Sequence, residues 1–418
     1  MQRIQNDSIM FRGESFQARK LHWAGTHRIR APEETYRLIQ PHFQTCGISR
    51  LADITRLDRI GIPTTLAIRP NSKTLAVCSG KGFSLATALT SGAMEAIELH
   101  HAENVSIRSF RRSYKEVSEE HRVIPIRNLL LTKHSLFNEA WPYHWALAWD
   151  ILTQQEVAVP LSTIEMSRSR SRIRELGAFQ VSSNGLASGN NFIEALAAAL
   201  YEVVERDATT CHRLLWQQSG SPPPLLDVQL SANVLVQEIL LKLKAASITP
   251  FVFDCTVDTK VPVFMALLHD SESPLTGLYK GYGAHLDPSV AICRALTEAV
   301  QARAIFIAGS RDDFFRQQFH RLKRVDTTGG MASFLSLSPT VDPNAIVDTS
   351  TSSFEGDVRV ILSQLEHLGY QQVLVFDLTL PKLPISVVKV IVPGLEGYMF
   401  DFYTPGSRAI TFLKGYVK

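Results

Sequence analysis

Three stretches of this chain read as long, alanine-rich helices with glutamates gathered on one face, and that combination limits what the chain can fold into. The first is TALTSGAMEAIELHHAE, in which Ser91, Glu95 and Glu98 fall at i, i+4 and i+7, within about 60° of one another on a helix. The second is NNFIEALAAALYEVVERDA, where Glu194, Glu202 and Glu205 fall within about 80°. The third, PSVAICRALTEAVQAR, repeats the first spacing with Arg294, Glu298 and Gln301. The other positions of each are mostly Ala, Leu, Ile and Val, so most of the circumference asks to be buried. The common explanation of a polar stripe is a solvated face. An exposed face, however, usually mixes Lys with Glu, and the first two stripes carry five carboxylates without a lysine. Like charges one turn apart repel by a few tenths of a kcal/mol per pair, roughly. Half-buried, they call for cations. A hard cation such as Mg²⁺ bridging carboxylates and phosphate oxygens answers that need, and Arg294 with Gln301 could hold a phosphate or ribose edge. On spacing alone, a divalent-metal phosphate site and a set of surface stripes both remain open.

Composition sets the frame. The chain has 418 residues, 45% hydrophobic and 20% charged, with a net charge of +3, which excludes a disordered or fibrous protein. That length allows two or three domains or one interleaved α/β unit. The first fifteen residues lack an apolar signal core, and no run approaches the roughly 18 apolar residues of a membrane span, so a cytoplasmic protein is expected. The five cysteines, Cys46, Cys78, Cys211, Cys255 and Cys293, are widely spaced and read as ordinary reduced thiols. The run Arg168, Arg170, Arg172, Arg174 is the nearest approach to a basic cluster. Its period of two reads as one face of a solvated strand or loop, with a phosphate or acidic-peptide contact as the alternative, and no nucleic-acid partner is expected.

Helical patterns cover 83–103, 191–215, 232–246, 288–308 and 357–368, the last stopped by Gly369. Strand-like stretches are Thr74–Cys78, His144–Trp149, Pro250–Asp254, Val261–Leu268, Val373–Leu378 and Ile385–Val392. Residues 336–357, rich in Ser, Thr and Pro, read as a surface loop. The alternation is irregular, which favours an α+β fold, mixed sheets with packed helices, over a doubly wound one. Familiar nucleotide motifs fail. Ser79-Gly80-Lys81-Gly82 lacks the Ser or Thr that follows the P-loop lysine, and Gly281-Tyr282-Gly283 lacks the third glycine of a dinucleotide fingerprint. His100 and His101 project about 100° apart and do not form a metal pair.

Taken together, SSNGLASGNNFIEALAAALYEVVERDA (182–208) and GYGAHLDPSVAICRALTEAVQAR (281–303) closely resemble the YcaO superfamily of ATP-dependent enzymes that modify peptide backbones. GTHRIRAPEET (25–35), residues 48–82, the SxxxExxE helix, VIVPGLEG and TPGSRAI extend the resemblance to roughly residues 20–410, read as one domain between an extension (1–19) and a tail (411–418). The resemblance implies a fold that is neither P-loop nor Rossmann, with ATP and Mg²⁺ as cofactors. It implies that Ser91, Glu95, Glu98, Asn190, Glu194, Glu202, Glu205, Arg206, Arg294, Glu298 and Gln301 bind the cofactors. Glu95, Glu98, Glu202 and Glu205 would be the metal ligands, and Arg28 a basic residue near the triphosphate. Ala187 stands where many members have a serine.

The implied chemistry is attack of a nucleophile on a backbone amide, transfer of the γ-phosphoryl group to the resulting oxyanion, and expulsion of phosphate. The amide oxygen is a poor leaving group until phosphorylated. No catalytic base is legible; His285 and the C-terminal carboxylate are candidates. The chain ends AITFLKGYVK without the proline-rich end of azoline-forming members. It therefore resembles the stand-alone members that make thioamides in a ribosomally made peptide or protein beside a TfuA-like partner. An azoline-forming cyclodehydratase with an E1-like partner and a non-catalytic ATP-binding regulator are the alternatives. A homodimer is left open.

Overall fold

The computed structural model describes residues 8–104, 107–166, 175, 177–272, 278–311, 334–398 and 404–416. Among them are eight α-helices and fourteen strands. In chain order the first are β1 (Ile9–Phe11), β2 (Glu14–Phe16), α1 (Pro32–Ile39), β3 (Arg50–Asp53), β4 (Thr64–Ile68), β5 (Val77–Lys81) and α2 (Leu85–Asn104). Next come β6 (Ser109–Ser113), α3 (Tyr114–Glu120), β7 (Pro142–Asp150), β8 (Gln155–Pro160), β9 (Leu186–Gly189) and α4 (Phe192–Ser219). Then follow α5 (Val234–Ala245), β10 (Ile248–Asp254), β11 (Val263–Asp270), β12 (Tyr279–Ala284) and α6 (Pro288–Ala308). The last are α7 (Phe354–His367), β13 (Leu374–Asp377), β14 (Ser386–Ile391) and α8 (Ser407–Tyr416). All pairings between these strands are antiparallel, as an α+β fold requires.

Contacts group the chain into two compact units, each assembled from separated segments. The first comprises Met1–Leu21, Ile97–Leu214 and Thr351–Lys418. Its sheet runs β6-β7-β13-β14-β9, with β8 also on β7. Tyr143 and Trp145, two apart on β7, enter one core with Val117, Ala158 and Phe179. The stretch read as an N-terminal extension contributes the β1–β2 hairpin, whose Phe11 and Phe16 rings meet Phe192 at 4.6 and 4.5 Å. Just beyond it, Lys20 donates to the buried Asp357 at 2.6 Å, which also accepts from Tyr201 and from the Thr351 amide.

The second unit comprises His22–Ala96 and Leu215–Ser350. It holds two three-stranded sheets, β3-β4-β5 and β10-β11-β12. The unbroken apolar run VFMALL predicts a strand buried on both faces, and β11 is buried along its whole length, His269 and Asp270 included. Helices α5 and α6 share one apolar core with the β10-β11-β12 sheet, through residues such as Leu243, Phe264 and Leu296. Helix α6 starts where the sequence demands: Asp287 accepts from the Ser289 and Val290 amides, Pro288 follows, and Gly309 ends the helix at φ 61°.

The expected helices all form, within a few residues of their expected ends. The strands fare less well. The stretch read as Thr74–Cys78 is displaced to Val77–Lys81, because pairing with β4 sets the register. Strands β9 and β12 escaped the pattern because LASG and YKGYGA contain few β-formers. Their glycines serve packing instead. A Cβ on Gly283 would lie 2.1 Å from the Ala291 carbonyl oxygen of α6, and one on Gly80 would lie 2.0 Å from that of Ala88 in α2. Only a bare backbone lets these helices come so close. The 336–357 loop ends early, since Ser353 caps α7 and starts it at Phe354.

Candidate functional site

The close approach of helix to glycine-bearing strand is what positions the stripes. In the second unit α2 presses on β5, and Glu95 Oε2 accepts the Ser79 amide at 3.3 Å. Beside it α6 presses on β12, and Glu298 Oε1 accepts the Tyr282 amide at 3.2 Å. The other oxygen of Glu298 takes Lys81 Nζ at 2.6 Å, while Gln301 Nε2 donates to Ser79 Oγ at 2.9 Å. Thus β5, α2 and α6 bring Glu95, Glu298 and Gln301 together. Loss of hydration raises the Glu95 carboxyl above the ordinary carboxylate range, against the Ser79 amide, Arg311 and Lys81, which lower it. Among the described residues, Glu95 Oε1 accepts no hydrogen bond and the buried Arg294 Nε has no partner. Ser91 is half-buried one turn before Glu95. Arg28 lies on a separate short bridge with His22 and donates to the His27 carbonyl at 2.8 Å.

The first unit repeats the device. Glu98 Oε2 accepts the Ser188 amide of β9 at 2.8 Å, and Glu202 Oε1 accepts the Gly185 amide at 3.2 Å. Gly185 takes φ 75°, and a Cβ there would sit 2.2 Å from the Val390 carbonyl oxygen of β14. Lys389 of β14 is buried and donates to the Ser182 carbonyl at 2.7 Å. Burial lowers its pKa to about 8, although the Glu202 and Glu98 carboxylates pull the other way. Asn190 Nδ2 donates to the buried Glu194 at 3.1 Å, and the Arg206 guanidinium lies 4.9 Å from the centre of the Tyr398 ring. Glu205 is buried, on the same helix face as Glu202.

The solvated-stripe explanation therefore fails: Glu194 and Glu205 are only 2% and 4% exposed. Four motif glutamates each accept a main-chain amide from a strand or the turn before it, an arrangement no helical periodicity reveals. Sequence reasoning missed Lys81, Ser79 and Lys389. Lys81 stood in the rejected P-loop fragment, and the single charge in the apolar strand SVVKVI was the available signal for Lys389. His285 is buried and its Nδ1 already accepts the Asp287 amide, which leaves only Nε2 for proton transfer. The Arg168–Arg174 run and the C-terminal carboxylate lie outside the described residues. All five cysteines are buried thiols outside any disulfide; burial pushes the Cys46 thiol up to about 11. No helix among the described residues is long and apolar enough to cross a membrane.

A fold of antiparallel sheets pressed by glutamate-bearing helices through glycine contacts has known counterparts. Residues 79–396 match the YcaO family, described as a YcaO cyclodehydratase that binds ATP and Mg²⁺. The chain belongs to the YcaO family. It is 31% identical to an uncharacterized protein of the tfuA 3′ region of Rhizobium leguminosarum bv. trifolii, over 93% of each chain. Among solved structures it resembles YcaO from Methanopyrus kandleri bound with AMPPCP and Mg²⁺, with a TM-score of 0.72 at 22% identity over 93% of this chain and 100% of that one. A heterocyclase in complex with substrate and cofactor gives a TM-score of 0.77 at 21% identity; it covers 96% of this chain, which spans 57% of the heterocyclase. At these identities the structural likeness establishes the fold, an α+β YcaO architecture.

Proposed function

We propose that this chain binds ATP with Mg²⁺ and activates a backbone amide of a ribosomally made peptide or protein, installing a thioamide beside a TfuA-like partner. The observation that carries the ATP reading is the set of four glutamates, Glu95, Glu98, Glu202 and Glu298, each oriented by a main-chain N–H. An amide donor fixes the orientation of a carboxylate and leaves its negative charge in place. Hard oxygen donors of this kind suit Mg²⁺. The residues fit the group: loss of hydration disfavours the charged form of Glu95, a cost that a bound cation would offset, and the Arg294 guanidinium keeps a buried, unpartnered Nε among the described residues.

Glu95, Glu98, Glu202 and Glu205 would hold Mg²⁺. Ser91, Asn190, Glu194, Arg206, Arg294, Glu298, Gln301 and Arg28 would bind the nucleotide. When bound, the nucleotide supplies the phosphoryl group that makes an amide oxygen a good leaving group, and the metal neutralises the charge that spreads during transfer. The protein's own part is positioning. Lys81 holds Glu298, Gln301 is held by Ser79, and the glycine contacts keep the helices that bear them from drifting.

The thioamide reading is supported by similarity along nearly the whole chain to the tfuA-region protein of Rhizobium. The family's description as a cyclodehydratase favours a second reading, azoline formation from Cys, Ser or Thr with an E1-like partner. Mass spectrometry of a peptide co-expressed with the chain and its genomic neighbours separates the two. Thioamidation exchanges one oxygen for sulfur, and loss of one water without sulfur uptake overturns the thioamide proposal. A regulator that binds ATP without catalysis would release no ADP on addition of peptide and partner.

A further inference from the structure

Three motifs far apart in sequence converge on the middle of α4 within the first unit: Glu205-Arg206-Asp207, the PGLEGY segment 393–398, and the start of α8. Glu396 is the junction. Its amide donates to Asp207 Oδ1 at 2.9 Å, while its carboxylate accepts the Gly406 amide at 3.1 Å and the Ala409 amide at 2.8 Å. Those amides belong to the N-terminal end of α8, where a carboxylate is favoured by unsatisfied N–H groups and the helix dipole. A Cβ on Gly406 would lie 2.9 Å from Glu396 Oε1, so a larger residue there would press on that carboxylate. Arg408, on the first turn of α8, returns to Asp207 at 3.1 Å. Thr210 Oγ1, nearly one turn along α4, donates to the Gly397 carbonyl at 2.7 Å. Asp207 and Glu396 are both buried, so each needs these partners to stay in place.

Tyr398 is the next residue along, and its ring lies under the Arg206 guanidinium at 4.9 Å. Arg206 and Asp207 are adjacent on α4 and project about 100° apart. The same segment therefore engages α4 on two sides, the buried carboxylate on one and the arginine on the other. An arginine free to choose among its rotamers loses that freedom when it closes on a ligand, a loss that prior ordering avoids. A planar guanidinium over an aromatic face is ordered without losing its outward N–H donors.

We propose that Tyr398 is a positioning residue that presets Arg206 for the nucleotide, and that the Asp207–Glu396–Arg408 junction holds Tyr398 in register, coupling helix α8 to nucleotide affinity. This rests on the ATP reading above. A tie that merely anchored the end of the chain would affect stability and leave affinity unchanged.

The test is titration of the full chain with a fluorescent ATP analogue in the presence of Mg²⁺, with thermal melts of every variant. Tyr398→Leu keeps apolar bulk but removes the π face, and should weaken binding about three- to tenfold while melting near wild type. Tyr398→Phe restores the face and should bind within about twofold of wild type. Unchanged affinity in a folded Tyr398→Leu protein overturns the proposal. A second measurement needs no variant: hydrogen exchange across residues 404–416 should slow when the analogue and Mg²⁺ bind, and identical exchange with and without them overturns the coupling. Wild-type protein that binds no analogue at all overturns the ATP reading itself, an outcome separate from either of these.

Discussion

Lys81 and Lys389 do the same formal job in two clusters of one design, and their surroundings differ. In the second unit Lys81 reaches Glu298 at 2.6 Å with 21% of its side chain still in solvent. In the first unit Lys389 is buried, donates to the Ser182 carbonyl, and feels Glu98 and Glu202 only through the field of their charges. A partly hydrated pair holds its partner's geometry at modest energy. A dehydrated lysine carries a standing cost that its neighbours only partly offset. The two clusters should therefore respond very differently to proton activity and to loss of their lysines.

The largest expected effect is at Lys389. Its folded pKa of about 8 lies below the free value of 10.5. Below pH 8 both folded and unfolded chains hold the proton, and the buried charge weakens the fold. Between about 8 and 10.5 only the unfolded chain holds it, so stability rises with pH through that window and falls as pH drops back through the folded value. Urea unfolding in the presence of a chelator should show this rise, up to roughly 3 kcal/mol, in wild type and not in Lys389→Met. A flat wild-type profile would remove the proposed contrast.

Next come the carboxylates. Glu95→Gln and Glu202→Gln, one from each cluster, should each weaken Mg²⁺-nucleotide binding by about ten- to a hundredfold in calorimetric titration. The two should differ in pH dependence. A proton on the raised Glu95 carboxyl competes with the cation, so wild-type affinity should fall as pH falls, and Glu95→Gln should lose most of that slope. Equal slopes in wild type and Glu95→Gln would sink the assignment of Glu95 as a metal ligand.

Gly283→Ala should destabilise by about 1–3 kcal/mol, because α6 must move off β12. Its thermal midpoint should drop, and nucleotide binding should weaken with it as Glu298 loses the Tyr282 amide. The smallest effect is expected for Lys81→Met, about 0.2–1 kcal/mol in stability by denaturant titration. A cost as large as that of the Lys389 titration would show that the two lysines are equivalent after all.

Much of this was legible from the chain. The three stripes were visible because alanine-rich helices with like-charged faces have few explanations, and the helices formed where capping and periodicity place them, as with Asp287-Pro288 and Gly309 around α6. Strands β9 and β12 were not, since their glycines weaken the local strand signal while serving contacts with helices far along the chain. Lys389 was hidden for a related reason. A lone lysine in SVVKVI looks like an edge-strand residue until the pairing of β14 with both β13 and β9 places it inside a sheet.

The sequence by itself determined the family, the fold class and which faces of three helices carry the carboxylates, because these depend on local periodicity and on motifs written contiguously. The tertiary structure alone decided what holds each glutamate, which lysine is hydrated and which is not, and that PGLEGY and α8 close on Asp207. Those are matters of burial and of main-chain amides aimed across distant segments, and neither hydration nor the direction of an N–H can be read from residue type and spacing.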